Sequence, residues 1–357
     1  MSNSSAKVKT LSLKQFTTFS DATFEFSPGI NVLIGENATG KSYLMKIIYT
    51  LLKACETASN GDKFENILDA QLHNVFQVHT PHELVRFNAE KAEVELDYGG
   101  TQFQVQMGAD GIQSSPAHLP NPSAPLYLPA REFLSINEGF MAAIQKRELP
   151  YDETYYDLSV ALNALPLRQN KLADVQSAIE LLQHAIVGED WDHKEIVKQE
   201  NGRFYFDLPE GYLNVHFVAD GYRKLGTLLY LLKNGSLTKD SILFWDEPST
   251  NLNPKLIAQV AKVLPILAEA GMQIFITTHD FLLGFELSLL AEYPSDEPVV
   301  LKFFSLYKPS IQSGVLVEPR NTLSEIEHNS ILEEFAAQYD REGDLFYNGR
   351  GKANDTV

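Results

Sequence analysis

Gly35-Glu36-Asn37-Ala38-Thr39-Gly40-Lys41-Ser42 matches the pattern G-x-x-x-x-G-K-[ST]. Its surroundings give the match its meaning. Upstream, Ile30 to Ile34 (INVLI) is a short, mostly apolar, β-branched run that reads as a central strand. Downstream, Leu44, Ile47, Ile48, Leu51 and Leu52 recur at helical spacing between Ser42 and Ala54. Strand, glycine loop and helix in that order make a phosphate cradle, because glycines let backbone amides wrap an anion and the helix N-terminus adds positive potential. Lys41 is then expected on the β- and γ-phosphates of ATP, and Ser42 on Mg²⁺.

A second constellation lies two hundred residues on. Ile242 to Trp245 is an apolar strand ending in Asp246-Glu247. Acidic residues often end strands, but downstream of a nucleotide loop Asp246 becomes a candidate for the Mg²⁺ shell and Glu247 for the group that orients or deprotonates water. The next apolar strand, Gln273 to Thr277, runs into His279-Asp280. From Val218 onward helical and extended patterns alternate: a helix from Tyr222 to Leu232, the strand Ser241 to Trp245, a helix from Pro254 to Ala270, and the strand Gln273 to Thr277. Such alternation predicts an α/β sheet completed by residues distant in sequence.

The opening segment alternates Leu11, Leu13 and Phe16, then Phe24 and Phe26, which predicts a β-hairpin or small antiparallel sheet. Between about 57 and 217 the patterns are irregular. Extended pieces (Ala92 to Leu96, Gln102 to Gln106) give way to Pro116, Pro120, Pro122, Pro125 and Pro129, then to helical patterns at Ser135 to Lys146 and Leu172 to Val187. Prolines and short segments exclude a long coiled coil. A further helix is predicted over Ser330 to Gln338. The expected division is an N-terminal half (1–57), an inserted lobe (58–217), a C-terminal half (218–349) and a loose tail (350–357).

Composition narrows the class. The chain has 357 residues, a formal charge of −18 and 44% hydrophobic residues, which excludes fibrous and fully disordered classes. One cysteine, Cys55, cannot build a disulfide framework. The segment MSNSSAKVKTLSLKQF lacks the apolar core of a signal peptide, and no window has the roughly 18 apolar residues of a membrane span, so a cytoplasmic location and no membrane partner are expected. The acidic balance disfavours a polyanion bound over the whole surface and leaves a local basic groove open.

Asp246-Glu247-Pro248-Ser249-Thr250-Asn251-Leu252-Asn253-Pro254 resembles the Walker B and D-loop of ABC-type ATPases, particularly the SMC, RecF and OLD group. The resemblance implies that His279, thirty-two residues after Glu247, is the switch histidine; otherwise it is a polar strand terminator. Phe217 to Lys224 (FVADGYRK) lies where that family carries its signature motif. By resemblance, Gly221 would touch the γ-phosphate of ATP bound to the opposite subunit. Ala219 replaces the usual serine, and Asp220-Gly221 can also be read as a plain turn before a helix. Pro129-Ala130-Arg131-Glu132 and the segment Leu323 to Asn329 resemble the OLD-like stand-alone ATPases of bacterial defence and toxin loci. Arg131 has two readings, a phosphate or partner contact and a structural ion pair. The family's Q-loop glutamine, which touches Mg²⁺, is assigned to Gln77 in preference to Gln71. His73 and His79 read as ordinary surface or pocket residues, with no cysteine or paired acid to complete a metal site.

The expected fold is therefore an α/β P-loop NTPase of ABC-ATPase type, a mixed sheet with flanking helices and an inserted helical, proline-rich lobe. The expected function is an ATP-hydrolysing switch, a homodimer through an ATP sandwich, controlling a separate effector (nuclease or toxin) in bacterial anti-phage defence. The alternative is a DNA-repair or DNA-organising ATPase of RecF or SMC kind that binds DNA directly. A transporter's ATPase subunit suits the Pro129 to Glu132 segment and the insert length poorly. After Pro254 only 103 residues remain, which leaves little room for a TOPRIM nuclease domain.

Overall fold

The computed structural model describes residues 6–58, 63–115, 124–146, 149–164, 172–189, 195–293, 299–310 and 313–352. The chain opens with strands β1 (Val8–Phe16), β2 (Phe19–Glu25) and β3 (Ile30–Gly35), then helices α1 (Lys41–Thr57) and α2 (Phe64–Phe76). Strands β4 (Lys91–Tyr98), β5 (Thr101–Gly108), β6 (Gly111–Ser115) and β7 (Pro125–Leu128) follow. Helices α3 (Phe140–Gln145), α4 (Glu153–Leu162) and α5 (Gln176–Val187) lead to β8 (Val197–Glu200), β9 (Arg203–Leu208) and β10 (Gly211–Asn214). The remainder is α6 (Asp220–Asn234), β11 (Ile242–Asp246), α7 (Pro254–Glu269), β12 (Gln273–Thr278), α8 (Phe281–Glu292), β13 (Leu301–Tyr307), β14 (Leu316–Arg320) and α9 (Ser330–Lys352).

A six-stranded sheet in the order β14-β13-β3-β12-β11-β7 forms the centre, with β14 antiparallel at one edge and the other five parallel. Its side chains alternate between two cores, as the period-2 geometry of a strand requires. Ile30, Val32, Ile34, Leu243, Trp245, Ile274 and Ile276 face the core that contains α5 to α8. Leu33, Phe244, Phe275 and Phe304 face α1 and a five-stranded antiparallel sheet in the order β2-β1-β4-β5-β6. A sheet covered on both faces explains why its strands are continuous apolar runs.

The expected partition needs correction. Residues 58–217 do not form one inserted lobe: β4 pairs with β1 in the N-terminal sheet, and β7 pairs with β11 in the central one. The edge of β1 and the edge of β11 each had backbone groups to satisfy, and segments from the supposed insert supply the pairing. Only α3 to α5 and the small sheet β10-β9-β8 remain as an addition. The helix predicted from Ser135 to Lys146 is confined to Phe140–Gln145, because Gly139, at φ 72°, breaks the pattern. Nor is there a loose tail from 350, since α9 continues to Lys352; residues 353–357 lie outside the described residues, as do Pro116, Pro120 and Pro122.

Candidate nucleotide site

The parallel strands all end at one edge of the sheet, where ligands bind in open α/β folds. Leaving β3, the chain turns through Gly35 at φ 142° and Gly40 at φ 90°. A Cβ on Gly35 would lie 2.2 Å from the Leu306 carbonyl oxygen, and one on Gly40 would lie 2.6 Å from Thr18 Oγ1, so both positions demand glycine. Thr39 Oγ1 donates to the Glu36 carbonyl at 2.8 Å. Lys41 is 8% exposed, and its Nζ donates to the Gly35 and Glu36 carbonyls at 2.7 and 2.8 Å. Burial lowers its pKa, opposed by the charges of Glu247, Asp246 and Glu36. Asn37 and Ala38 complete the loop, and Lys308 Nζ donates to the Ala38 carbonyl at 2.9 Å.

Three hydroxyls converge on Asp246. Ser42 Oγ donates to Oδ1 at 3.2 Å, Tyr127 OH donates to Oδ2 at 3.1 Å, and Thr277 Oγ1 donates to Oδ1. Tyr127 and Thr277 were not foreseen; β7 and β12 flank β11, so their ends bring these hydroxyls to the carboxylate. The neighbouring Glu247 adopts φ 48° and donates its N–H to Thr277 Oγ1 at 3.0 Å. Its Oε1 lies 2.8 Å from Nδ1 of His279, whose side chain is 64% exposed. Asp280 caps α8, its carboxylate accepting from the Leu283 N–H at 2.8 Å.

A cavity of about 580 Å³ opens beside the loop, lined by Gly35, Glu36, Asn37 and His279 on one side and by α9 residues Ile331, Glu334 and Phe335 on the other. Its size suits a small organic ligand. The contribution of α9 had no sequence signal, since the tertiary fold alone returns this helix to the loop.

Two expected site residues are placed elsewhere. Gln77 ends α2 at φ 55° and lines a different cavity, with His73, Asn74, Tyr151 and Glu153. The place beside Asp246 is taken by Tyr127, because β7 rather than α2 lies next to β11. Gly221 is buried: a Cβ there would meet Leu252 Cδ2 at 3.1 Å and the Asn251 carbonyl at 3.3 Å. Close packing therefore explains the glycine, and the residues presented to solvent at this turn are Ala219 and Asp220, not Gly221. Ala219 caps α6 without a side-chain hydrogen bond. In the Pro129 to Glu132 segment the buried ion pair belongs to Glu132, with Arg223 at 3.3 Å, while Arg131 is exposed. The rings of His73 and His79 lie 6.5 Å apart, and among the described residues no group of three or more His, Cys, Asp or Glu side chains could hold a metal ion.

No described helix is long and apolar enough to cross a membrane. Residues 7–99 match the model of a family described as AAA ATPase domain. RecF, the DNA replication and repair protein, of Staphylococcus haemolyticus (strain JCSC1435) is 27% identical over 276 residues, covering 70% of this chain and 68% of the relative. RecF of Staphylococcus aureus (strain JH9) is 35% identical over 89 residues, 25% of this chain and 19% of that protein. Among solved structures, an SmcHead bound to the C-winged helix domain of ScpA superimposes with a TM-score of 0.53 at 12% identity, covering 89% of this chain and 99% of that one, a likeness of fold. The sheet and the loop give an SMC head-like α/β fold of P-loop NTPase type, and in sequence the chain is similar to RecF. Residues 56–284 match the family described as AAA domain, putative AbiEii toxin, Type IV TA system, and the chain belongs to that family.

Proposed function

We propose that the protein hydrolyses ATP with Mg²⁺ and uses the nucleotide state to control a separate effector. The observation that carries the hydrolytic reading is the convergence of Ser42, Tyr127 and Thr277 on Asp246, with Glu247 turned out beside it toward His279.

The donor set fits Mg²⁺: a hydroxyl and a carboxylate, hard oxygen ligands, stand at the mouth of a glycine cradle. Ser42 and Asp246 would hold the ion, which supplies charge neutralisation on the phosphate oxygens when bound. Lys41 exchanges its loop carbonyls for phosphate oxygens. Glu247 Oε accepts the proton of the attacking water, and His279, hydrogen-bonded to that carboxylate, keeps it oriented. Pairing of two copies on ATP is part of this reading, with the solvent-facing Ala219 edge of α6 as the contact.

The effector in this reading is a nuclease or toxin of a defence locus, and the toxin option alone draws support from the family description, which names a putative AbiEii toxin of a Type IV TA system. A second reading, an ATPase that binds DNA directly, is favoured by the RecF likeness over 70% of the chain. Steady-state hydrolysis by wild type and Lys41→Ala tests the first step, and normal turnover in that variant would remove Lys41 from the site. DNA binding measured with and without ATP across a salt series separates the two readings; affinity that depends on nucleotide and falls steeply with salt supports the second.

A further inference from the structure

We propose that Lys224 is a positioning residue for hydrolysis: its ammonium, planted at the start of the second turn of α6, holds the peptide of Glu247 in the conformation that aims the carboxylate at His279, and ties the Glu247 to Thr250 turn to the loop after β7. The inference rests on the reading of Glu247 as the water-activating group and adds the element that controls it.

Lys224 is 6% exposed. Its Nζ donates to three backbone carbonyls, those of Glu247 at 2.6 Å, Ala130 at 3.2 Å and Thr250 at 3.4 Å. An ammonium has three donors and no acceptor, so three converging carbonyls match it completely. The next residue back repeats the link, for Arg223 Nε lies 3.3 Å from Glu132 Oε2. The start of α6 is thus fastened to the Pro129 to Glu132 segment twice and to the Walker B turn twice, through the carbonyls of Glu247 and Thr250.

Placing a cation here is a poor way to gain stability. The desolvation of a buried charge is offset only partly by neutral carbonyls, and an apolar side chain of the same length would pack at lower cost. Burial accordingly pushes the Lys224 pKa down to about 8, although Glu247 and Asp246 oppose the shift. What the cation does accomplish is local. Glu247 sits at φ 48°, a region that side-chain-bearing residues rarely adopt and that persists only where neighbours enforce it. Thr277 Oγ1 holds the Glu247 N–H and Lys224 holds its carbonyl, so both sides of the residue are gripped. A displacement of the α6 turn, where Ala219 and Asp220 face solvent, would reach the Glu247 peptide through one side chain.

The test compares the full-length wild type, Lys224→Met and Lys224→Arg by steady-state ATP hydrolysis and by hydrogen–deuterium exchange without nucleotide. Lys224→Met should lower kcat about tenfold or more while KM for ATP stays within about threefold, since the cradle is untouched. Exchange should accelerate in 129–135 and 246–252 and stay unchanged in 35–42. Lys224→Arg keeps the charge but offers a planar fork in place of three converging donors, and should fall between the two. It serves as the working variant if Lys224→Met does not fold, with the same criterion of kcat lowered and KM retained. A kcat within twofold of wild type in the folded variant, or parallel loss of kcat and ATP affinity, overturns the proposal. Exchange unchanged in 246–252 also overturns it. If wild type itself hydrolyses no ATP while the variant still loosens 246–252, the hydrolytic reading fails and the positional role of Lys224 stands.

Discussion

His279 Nδ1 lies 2.8 Å from Glu247 Oε1, and the His279 backbone N–H points at Oε2 of the same carboxylate at 3.4 Å. Residues at the ends of two adjacent parallel strands, β11 and β12, therefore share one hydrogen-bonded pair, although they are thirty-two positions apart. The histidine is exposed and the carboxylate is largely covered, so the pair links a solvent-facing ring to a sheltered carboxylate.

Glu247→Gln keeps the shape and removes the base. ATP binding should persist while turnover falls by about 100-fold or more, the range of general-base loss. His279→Ala leaves the base but frees its orientation, and a smaller loss of about tenfold is expected, read as kcat in the same assay. Wild-type turnover in Glu247→Gln would assign water activation to another group.

Tyr127→Phe removes one of the hydroxyls on Asp246 and little else, because the ring remains stacked with Phe244 at 6.3 Å and 13°. A hydrogen bond to a charged group contributes about 1.5 to 3 kcal/mol. Asp246 should then hold the metal less well, and the Mg²⁺ concentration for half-maximal hydrolysis should rise, by at most the roughly 10- to 150-fold that such a bond corresponds to. A magnesium titration of both proteins checks it.

Ala219→Ser supplies an N-cap hydroxyl to α6, which has none. Capping should stabilise the fold by about 0.5 to 1 kcal/mol. Thermal unfolding without nucleotide reads this part. Light scattering with ATP reads the other: if the Ala219 edge is the pairing contact, serine should also tighten ATP-dependent dimers, and a protein that stays monomeric with ATP refutes pairing.

Stability should respond to pH through buried lysines. The pKa of Lys224 is about 8 in the folded chain against 10.5 ordinarily, and that of Lys41 is also lowered by burial. Between about pH 8 and 10.5 the unfolded chain therefore binds more protons, and stability rises with pH; below 8 both states are protonated and the cost of burial is felt in full. Tyr49 and Tyr127 act oppositely: burial raises their pKa values, so above pH 10 the unfolded tyrosines ionise first and stability falls. Denaturant unfolding at pH 7.5 and 9.5 should show a gain in wild type that is smaller in Lys224→Met.

The glycine loop, its strand and its helix were legible because phosphate binding requires a short contiguous pattern, and the spacing of Leu44, Ile47, Ile48, Leu51 and Leu52 is local information. Asp246, Glu247 and His279 were legible as strand ends for the same reason. Gln77 lines a separate cavity and Tyr127 stands beside Asp246, because that neighbour depends on which strand lies next to β11, and β7 carries no local mark of the pairing. Within one chain Gly221 is accounted for by close packing against Asn251 and Leu252, and a glycine needed for packing looks the same in sequence as one needed to approach a ligand. The division at residue 58 failed because β4 to β6 complete a sheet begun by β1 and β2, a decision made by unsatisfied strand edges.

Local structure, written in neighbouring residues, was thus determined by the sequence itself: a glycine loop between strand and helix, two carboxylates and a histidine at strand ends, and the α/β alternation. Tertiary structure alone decided which hydroxyls reach Asp246, that α9 walls the cavity, and that Lys224 joins the Glu247 to Thr250 turn to the loop after β7. These are long-range coincidences of backbone position. They arise from strand order and packing, and no periodicity or spacing along the chain encodes them.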